Sequence, residues 1–262
     1  MEFKKVQYVV NKEDKLAVIS MDSPKNLNAF DAALIDELVA ALKLSDEDPD
    51  VKAVILNSTG RAFSAGGDIG TMYKGLKAGE LNFSEDIEKM ATVSLAIKKL
   101  TKPVIAACNG AVAGAGFNVA LACDYVVAAE DAVFIQAFVN IGLVPDAGGL
   151  YLLTRAVGVN KAAELAMTGR PVTAKEGQQL GFVAQVVEPD AVQAAAVKAA
   201  KRFAAGPSNS FKYMKQLIME SSFKDFEEYI KKEVEAQTIC GDTEDFAEGV
   251  YAFVEKRKPN YK

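Results

Sequence analysis

The run Pro103-Val104-Ile105-Ala106-Ala107-Cys108 constrains the fold of this 262-residue chain more than any other stretch. It is apolar at every position and has the length of a buried strand. It turns at Asn109-Gly110, passes Gly114-Ala115-Gly116, and enters Phe117-Asn118-Val119-Ala120-Leu121-Ala122-Cys123, whose composition predicts a helix. A strand fed through small residues into a helix brings bare backbone N–H groups to a surface. The first donors of a helix have no partner within it, and the helix dipole adds partial positive charge there. Such a place suits an anion, either a bound phosphate or an oxyanion formed during a reaction.

Other readings of the stretch are weaker or bland. A dinucleotide-binding loop needs G-x-G-x-x-G, but Gly114-Ala115-Gly116-Phe117-Asn118 is followed by Val119. A phosphate loop needs Gly-Lys-Ser/Thr, which is absent. Small residues also permit close helix packing with no chemistry at all, and the stretch alone leaves that open.

Composition narrows the chemistry. The chain contains no histidine, so Ser-His-Asp and Cys-His catalysis and the usual zinc sites are excluded. Acid–base work falls to carboxylates, Lys, Tyr, Cys or water. Cys108, Cys123 and Cys240 have no C-x-x-C spacing, and two lie in apolar runs, so buried free thiols are expected. A formal net charge of -5 without a basic cluster argues against nucleic acid. No apolar run is long enough to span a bilayer, and MEFKKVQYVVNKEDK resembles neither a signal nor a transit peptide. The expectation is a soluble, cytoplasmic protein with no nucleic-acid or membrane partner.

Along the chain, Val6 to Val10 and Leu16 to Met21 predict a hairpin, followed by a loop at Ser23 to Asn28. Asn28 or Asp31 can cap the next helix, whose buried stripe is Leu34, Leu38, Ala41 and Leu42. Val51 to Leu56 is a short strand, and Gly60 to Gly70 a second glycine-rich loop. Thr71 to Glu85 is polar and weakly patterned and is expected to be mobile, with Tyr73 and Glu85 as minor acid–base candidates. A helix at Ile87 to Leu100, strands at Tyr125 to Ala128 and near Val133 to Ile135, and a third glycine loop at Asn140 to Gly149 follow. Thr173 caps a helix closed by Gly181, and Val183 to Val187 is a strand. From Asp190 the chain is helical. Strands alternating with helices, then helices alone, imply an α/β core, residues 1–189, with a helical C-terminal part, residues 190–262. The closing Lys256-Arg257-Lys258-Pro259 is either a solvated tail or a phosphate contact.

Three loops give the chain a family likeness. Ser23-Pro24-Lys25-Asn26-Leu27-Asn28-Ala29, Ala62-Phe63-Ser64-Ala65-Gly66-Gly67-Asp68 and Asn109 to Gly116 stand in the order typical of the crotonase superfamily. So do Pro145-Asp146-Ala147-Gly148-Gly149, Thr168-Gly169-Arg170 and the tail from Gly249 to Pro259. The chain therefore resembles the enoyl-CoA hydratase/isomerase family from about Val6 to Pro259. The resemblance implies an α/β, crotonase-like spiral of β-β-α units with a helical C-terminal trimerisation part, assembled as a homotrimer or hexamer. It implies an acyl-CoA substrate with no metal and no cofactor beyond the CoA thioester itself. Two backbone N–H groups, at Ala65 and Ala115 by motif position, are expected to hold the thioester oxygen. Lys25, Asn26, Leu27 and Ala29 correspond to the loop that meets CoA. Gly66, Gly67, Asp68 and Ile69 line the substrate, and Lys256 and Lys258 are placed at CoA phosphates, across a subunit boundary. The chemistry is consistent: removing a thioester α-proton, or adding a nucleophile at the β-carbon, puts charge on that oxygen, where fixed donors stabilise it.

Two positions depart from the hydratase pattern. Typical hydratases carry glutamates two residues after the middle-loop glycines and seven residues before the proline of the third loop. Here those positions are Asn118 and Phe138. An amide exchanges no proton at neutral pH and a phenyl ring activates no water. Asp146 remains, where isomerase-like members carry an acid. Its carboxylate can take a proton from one carbon of an acyl chain and return it to another, which is double-bond migration of the Δ3,Δ2 or ring type. Asp146 is also a favoured residue for a helix N-cap, and Asp68 is expected to cap the helix after its loop. Asn118 is placed either at the substrate or in the pocket wall, and Phe138 among the apolar groups that exclude water. Hydratase, other lyase and non-catalytic acyl-CoA-binding functions stand as alternatives.

Overall fold

The computed structural model describes residues 3–81 and 83–262. The first two residues of the N-terminal stretch, and Asn82 within the 71–85 segment, lie outside the described residues. Strands β1 (Val6–Asn11) and β2 (Leu16–Met21) form the expected hairpin. Strand β3 (Ala53–Ser58) adds in parallel to β2, then β4 (Val104–Cys108), β6 (Tyr125–Ala129) and β9 (Gln185–Val187) continue the sheet in parallel. The order is β1-β2-β3-β4-β6-β9. Strand β4 is the apolar run of the opening and is buried at every residue, because it lies between two neighbours with layers on both faces.

A second layer explains how the chain climbs. Strands β5 (Ala111–Ala113), β7 (Val133–Ile135) and β8 (Pro171–Thr173) form a small sheet in the order β5-β7-β8. It is continued by two isolated parallel bridges, Ser64 to Val112 and Phe30 to Gly67. Each turn of the chain thus gives one strand to the large sheet, one strand or bridge to the small one, and then a helix. The helices are α1 (Ala32–Glu47) after Phe30, α2 (Ile69–Ala78) and α3 (Phe83–Lys99) after Ser64, and α4 (Ala115–Ala122) after β5. This is the β-β-α spiral expected from the resemblance.

The remaining elements are α5 (Gly149–Val157), α6 (Val159–Thr168), α7 (Ala174–Leu180), α8 (Val192–Ala204), α9 (Ser208–Ser222), α10 (Phe226–Gly241) and α11 (Glu244–Glu255). Helix α8 lies on β3, β4 and β6, α10 packs on α3, and α11 packs on α2. The capping signals act as chemistry predicts. Asp31 accepts from the Leu34 N–H at 2.9 Å and starts α1, and Thr173 accepts from the Glu176 N–H at the start of α7. Asn28 does not cap; it is fully buried, and its amide donates to the carbonyls of Thr59 and Ala62, both at 2.9 Å.

The stretch from 71 to 85, expected to be mobile, is largely helical among the described residues: α2 runs through it to a left-handed Gly79, and α3 begins at Phe83. Met72 and Leu76, one turn apart, pack α2 on the core despite its polar composition. Of the small sheet, the strand at Val133 to Ile135 stands where it was expected, but β5 and β8 were not foreseen, because these three-residue strands pair only with distant segments.

Candidate active site

Two successive turns of the spiral meet where the small sheet ends. The Ser64 N–H donates to the Ala111 carbonyl at 3.1 Å, and the Ala113 N–H returns a bond to the Ser64 carbonyl at 2.9 Å. Just beyond, the chains touch. Gly66 has φ +91°, and a Cβ there would stand 2.9 Å from the Ala113 oxygen. Only glycine tolerates both that conformation and that approach. Gly114, with φ +52°, ends the other strand and sets the N-terminus of α4. A Cβ on Gly116 would come 2.6 Å from the Ser64 Cβ, so α4 also depends on glycine to lie this close.

The backbone donors sort accordingly. The Ala65 N–H donates to the Leu27 carbonyl at 2.9 Å, and the Gly66 N–H donates to the Ser64 hydroxyl at 3.1 Å. Ala65 is therefore committed to holding the 24–28 loop, which corrects its expected role as an oxygen-binding donor. Two residues on, the Gly67 N–H has no protein acceptor among the described residues, because the flanking bonds to Phe30 are made by the Gly66 carbonyl and the Asp68 N–H. The Ala115 N–H, at the start of α4, has none either. Gly67 and Ala115 line one cavity of about 380 Å³, together with Asp68, Asp146 and Gln237. Its apolar wall includes Phe30, Ile35, Met72, Leu81, Ile87 and Met90.

Asp146 is 9% exposed, in the turn before α5. It does not cap that helix: α5 has no side-chain cap. Its Oδ2 accepts from the Gln237 amide at 3.4 Å, and its Oδ1 has no hydrogen-bond partner among the described residues. Burial pushes its carboxyl up to about 7, against the lowering effect of the Gln237 hydrogen bond. A carboxyl ionising near neutrality, with one free oxygen, is suited to taking and returning a proton.

Asn118 is not a substrate contact. It is fully buried, its amide donates to the Asp146 carbonyl at 2.8 Å, and its oxygen accepts from Gln136 at 2.7 Å. It holds the backbone that carries Asp146. Asn118→Ala would strand both partners, and a loss of about 1–3 kcal/mol in unfolding free energy is expected; chemical denaturation checks this. Phe138 is buried with its ring against Gly114 and does not line the cavity. Asp68 caps α2 by accepting from the Thr71 N–H at 3.1 Å and also accepts from Asn26 at 3.3 Å. Ile69 opens the same helix, half-buried.

The loop at 24–29 is clamped by Asn28, by Ala65 and by the Ser64 hydroxyl, which donates to the Asn28 carbonyl at 2.8 Å. Lys25 is exposed on it, Leu27 is half-buried and left-handed, and Ala29 is buried. Lys256 and Lys258 are exposed beyond α11 and do not line the cavity of this chain. Tyr73 stands edge-on to Tyr251 with centroids 5.6 Å apart, and neither it nor the exposed Glu85 lines the cavity.

Sequence reasoning missed Gln237 and its neighbour Glu233. Both are buried on α10, in the stripe formed by Phe226, Ile230 and Val234. Polar residues falling in register with an apolar stripe were the available signal.

The family model described as enoyl-CoA hydratase/isomerase matches residues 11–262. The chain is 38% identical over 262 residues to a trans-2-decenoyl-[acyl-carrier-protein] isomerase of Streptococcus mutans, covering 100% of this chain and 99% of that protein. It is 37% identical over 262 residues to a probable enoyl-CoA hydratase of Rhodobacter capsulatus, with coverage of 100% and 99%. A crystal structure of an enoyl-CoA hydratase from Mycobacterium avium subsp. paratuberculosis superposes with a TM-score of 0.90 at 30% identity, covering 100% of both chains.

Proposed function

Since the chain belongs to the enoyl-CoA hydratase/isomerase family, we propose that it is an isomerase that moves the double bond of an enoyl thioester, with Asp146 as the proton shuttle. The observation that carries this reading is the free Oδ1 of a buried Asp146 in the same cavity as two unpaired amides, those of Gly67 and Ala115. The name of the Streptococcus relative supports isomerisation and raises acyl carrier protein beside CoA as the thiol carrier.

With a 2-enoyl thioester, the Asp146 carboxylate takes a proton from C4. The freed C–H pair becomes the C3–C4 double bond, the C2–C3 pair moves to C1–C2, and the carbonyl pair moves onto oxygen. Gly67 and Ala115 donate to that oxygen, and the N-terminus of α4 adds its dipole. When the carbonyl reforms, the C1–C2 pair takes the proton back from Asp146 at C2, giving the 3-enoyl thioester. No water or electron is consumed. The apolar side chains of Ile35, Met72, Leu81, Ile87 and Met90 suit an acyl chain.

Hydration is the second reading, favoured by the name of the Rhodobacter relative. Against it, Asn118 is locked between Asp146 and Gln136, and Phe138 offers no group that binds water. The proposal extends to a homotrimer or hexamer, in which Lys256 and Lys258 meet the phosphates of a neighbour's CoA. The exposed face of α9, with Tyr213, Met214, Leu217 and Ile218 each at least 51% exposed, gives such an assembly apolar surface to bury.

Incubation with 2-enoyl- and 3-enoyl-CoA in deuterated water tests the reaction. Bond migration with deuterium incorporation is expected, and both should vanish in Asp146→Asn. 3-Hydroxyacyl-CoA formed at a comparable rate would favour hydration, and saturable binding without turnover would favour a non-catalytic role.

A further inference from the structure

Helix α10 carries a second buried acid that the shuttle does not use. Glu233 is 4% exposed and lies one turn before Gln237, the residue that donates to Asp146. Its Oε1 accepts from the Gly148 N–H at 2.7 Å, two residues after Asp146. That turn is seated on α10 at the same point: Gly148 has φ +73°, and a Cβ there would stand 2.2 Å from the Phe226 ring. The other oxygen, Oε2, is buried with no close hydrogen-bond partner among the described residues, as Asp146 Oδ1 is, though the Tyr229 side chain lies near enough to the carboxyl to favour its charged form.

We propose that Glu233 is a positioning residue for the shuttle: it pins the turn that carries Asp146, and the two buried carboxyls hold one negative charge between them while the enzyme turns over. This rests on the reading of Asp146 as the shuttle. The groups facing Glu233 are Asp146 from the turn before α5 and Tyr229 from its own helix. Arg155 of α5 lies over the Tyr151 ring, 3.3 Å from its centroid, and acts on Tyr229 rather than on Glu233. Among the described residues no lysine or arginine acts on either carboxyl, so a second negative charge would go uncompensated. Burial, then the Asp146 charge, push Glu233 up to about 8, although its bond from Gly148 works in the other direction. Asp146 lines the cavity and Glu233 does not, so the shared charge rests on Asp146, which serves as the base while Glu233 keeps its proton. When Glu233 loses that proton at higher pH, the second charge, behind Asp146, opposes the enolate forming in the cavity.

Glu233→Gln separates this from simple capping, because the glutamine oxygen can still accept from Gly148. The wild-type pH profile of kcat/KM is expected to be bell-shaped. In E233Q the alkaline limb should disappear while the acid limb stays where it is in the wild type, because Glu233 is already neutral when Asp146 ionises. An E233Q profile that overlays the wild type, with Tm unchanged, would overturn the proposal. Should E233Q fail to fold, infrared titration of the Glu233 carboxyl in the Asp146→Asn protein decides. Its proton should come off about one pH unit lower than in the wild type, by reciprocal coupling, and an unchanged midpoint would overturn the proposal. The two readings fail separately. Wild-type turnover in Asp146→Asn sinks the shuttle and this inference with it. An inactive Asp146→Asn beside an E233Q profile identical to wild type sinks the inference alone.

Discussion

Asp146→Asn is expected to lower kcat for double-bond migration by about 10³-fold or more, while an unreactive acyl-CoA still binds within a few-fold of its wild-type affinity. The amide is nearly the same shape, and its oxygen can still accept from Gln237, so the cavity is kept and only the transferable proton is lost. The same variant carries a stability signature of known sign. An acid whose pKa is higher in the folded state than in the unfolded one costs stability above its unfolded value, because the unfolded chain releases its proton first. Asp146 stands near 7 when folded, against an ordinary carboxyl near 4. Its burden is therefore absent at acid pH, grows as pH rises from about 4 to about 7, and then levels off. Asp146→Asn should match wild-type stability near pH 4 and exceed it by about 4 kcal/mol at pH 8. For a chain of this size that is about 8–16 °C in Tm, measurable by thermal denaturation at the two pH values. Loss of activity with a gain in stability would mark a residue retained for chemistry.

Gly67→Pro should give the other large effect. Proline has no N–H, so it removes one donor at the thioester oxygen, and a loss of about 10²–10³ in kcat is expected. The φ of Gly67 is not in the left-handed region, so the proline ring meets no conformational bar of that kind. A Cβ at this position meets only the Met72 methyl, at 2.8 Å, the far end of a flexible side chain. Gly67→Ala keeps the donor and asks only Met72 to move, so it should retain most of the activity. Steady-state kinetics of the pair thus separates the amide from the space around it. Equal loss in both variants would mean that the residue matters for packing alone.

How far the sequence disclosed this site depends on how local each signal is. The apolar run at 104–108, the caps at Asp31 and Thr173 and the stop at Gly181 are set by neighbours in the chain, and the structure has them where the sequence puts them. The helix at 69–78 was obscured by Gly70, Gly75 and three polar residues, yet Met72 and Leu76 hold it on the core. Of the small sheet only β7 showed in the sequence; β5 and β8 did not, because their partners lie far away in the chain.

The donor loop shows the same division. Residues 63–68 stood out as a glycine loop that could present an amide. Which amide is free depends on the Leu27 carbonyl, some forty residues earlier, which takes the one from Ala65. Asp146 was legible as the acid left over once Asn118 and Phe138 were set aside. Its freedom from a capping role was not, because Glu233 on a remote helix bonds the Gly148 N–H. Glu233 and Gln237 sit in a helix rich in exposed charge, and only their register with Phe226 and Ile230 separates them from its solvated face.

The central claim is that two main-chain amides hold the thioester oxygen while Asp146 moves a proton beside it. Isotope-edited infrared spectroscopy of a bound enoyl thioester, labelled with ¹³C at the carbonyl, tests it most directly. The carbonyl stretch should fall on binding to the wild type, fall equally in Asp146→Asn, and recover most of the way to its value in water in Gly67→Pro. A carbonyl that vibrates in the wild-type complex as it does in water would contradict the account.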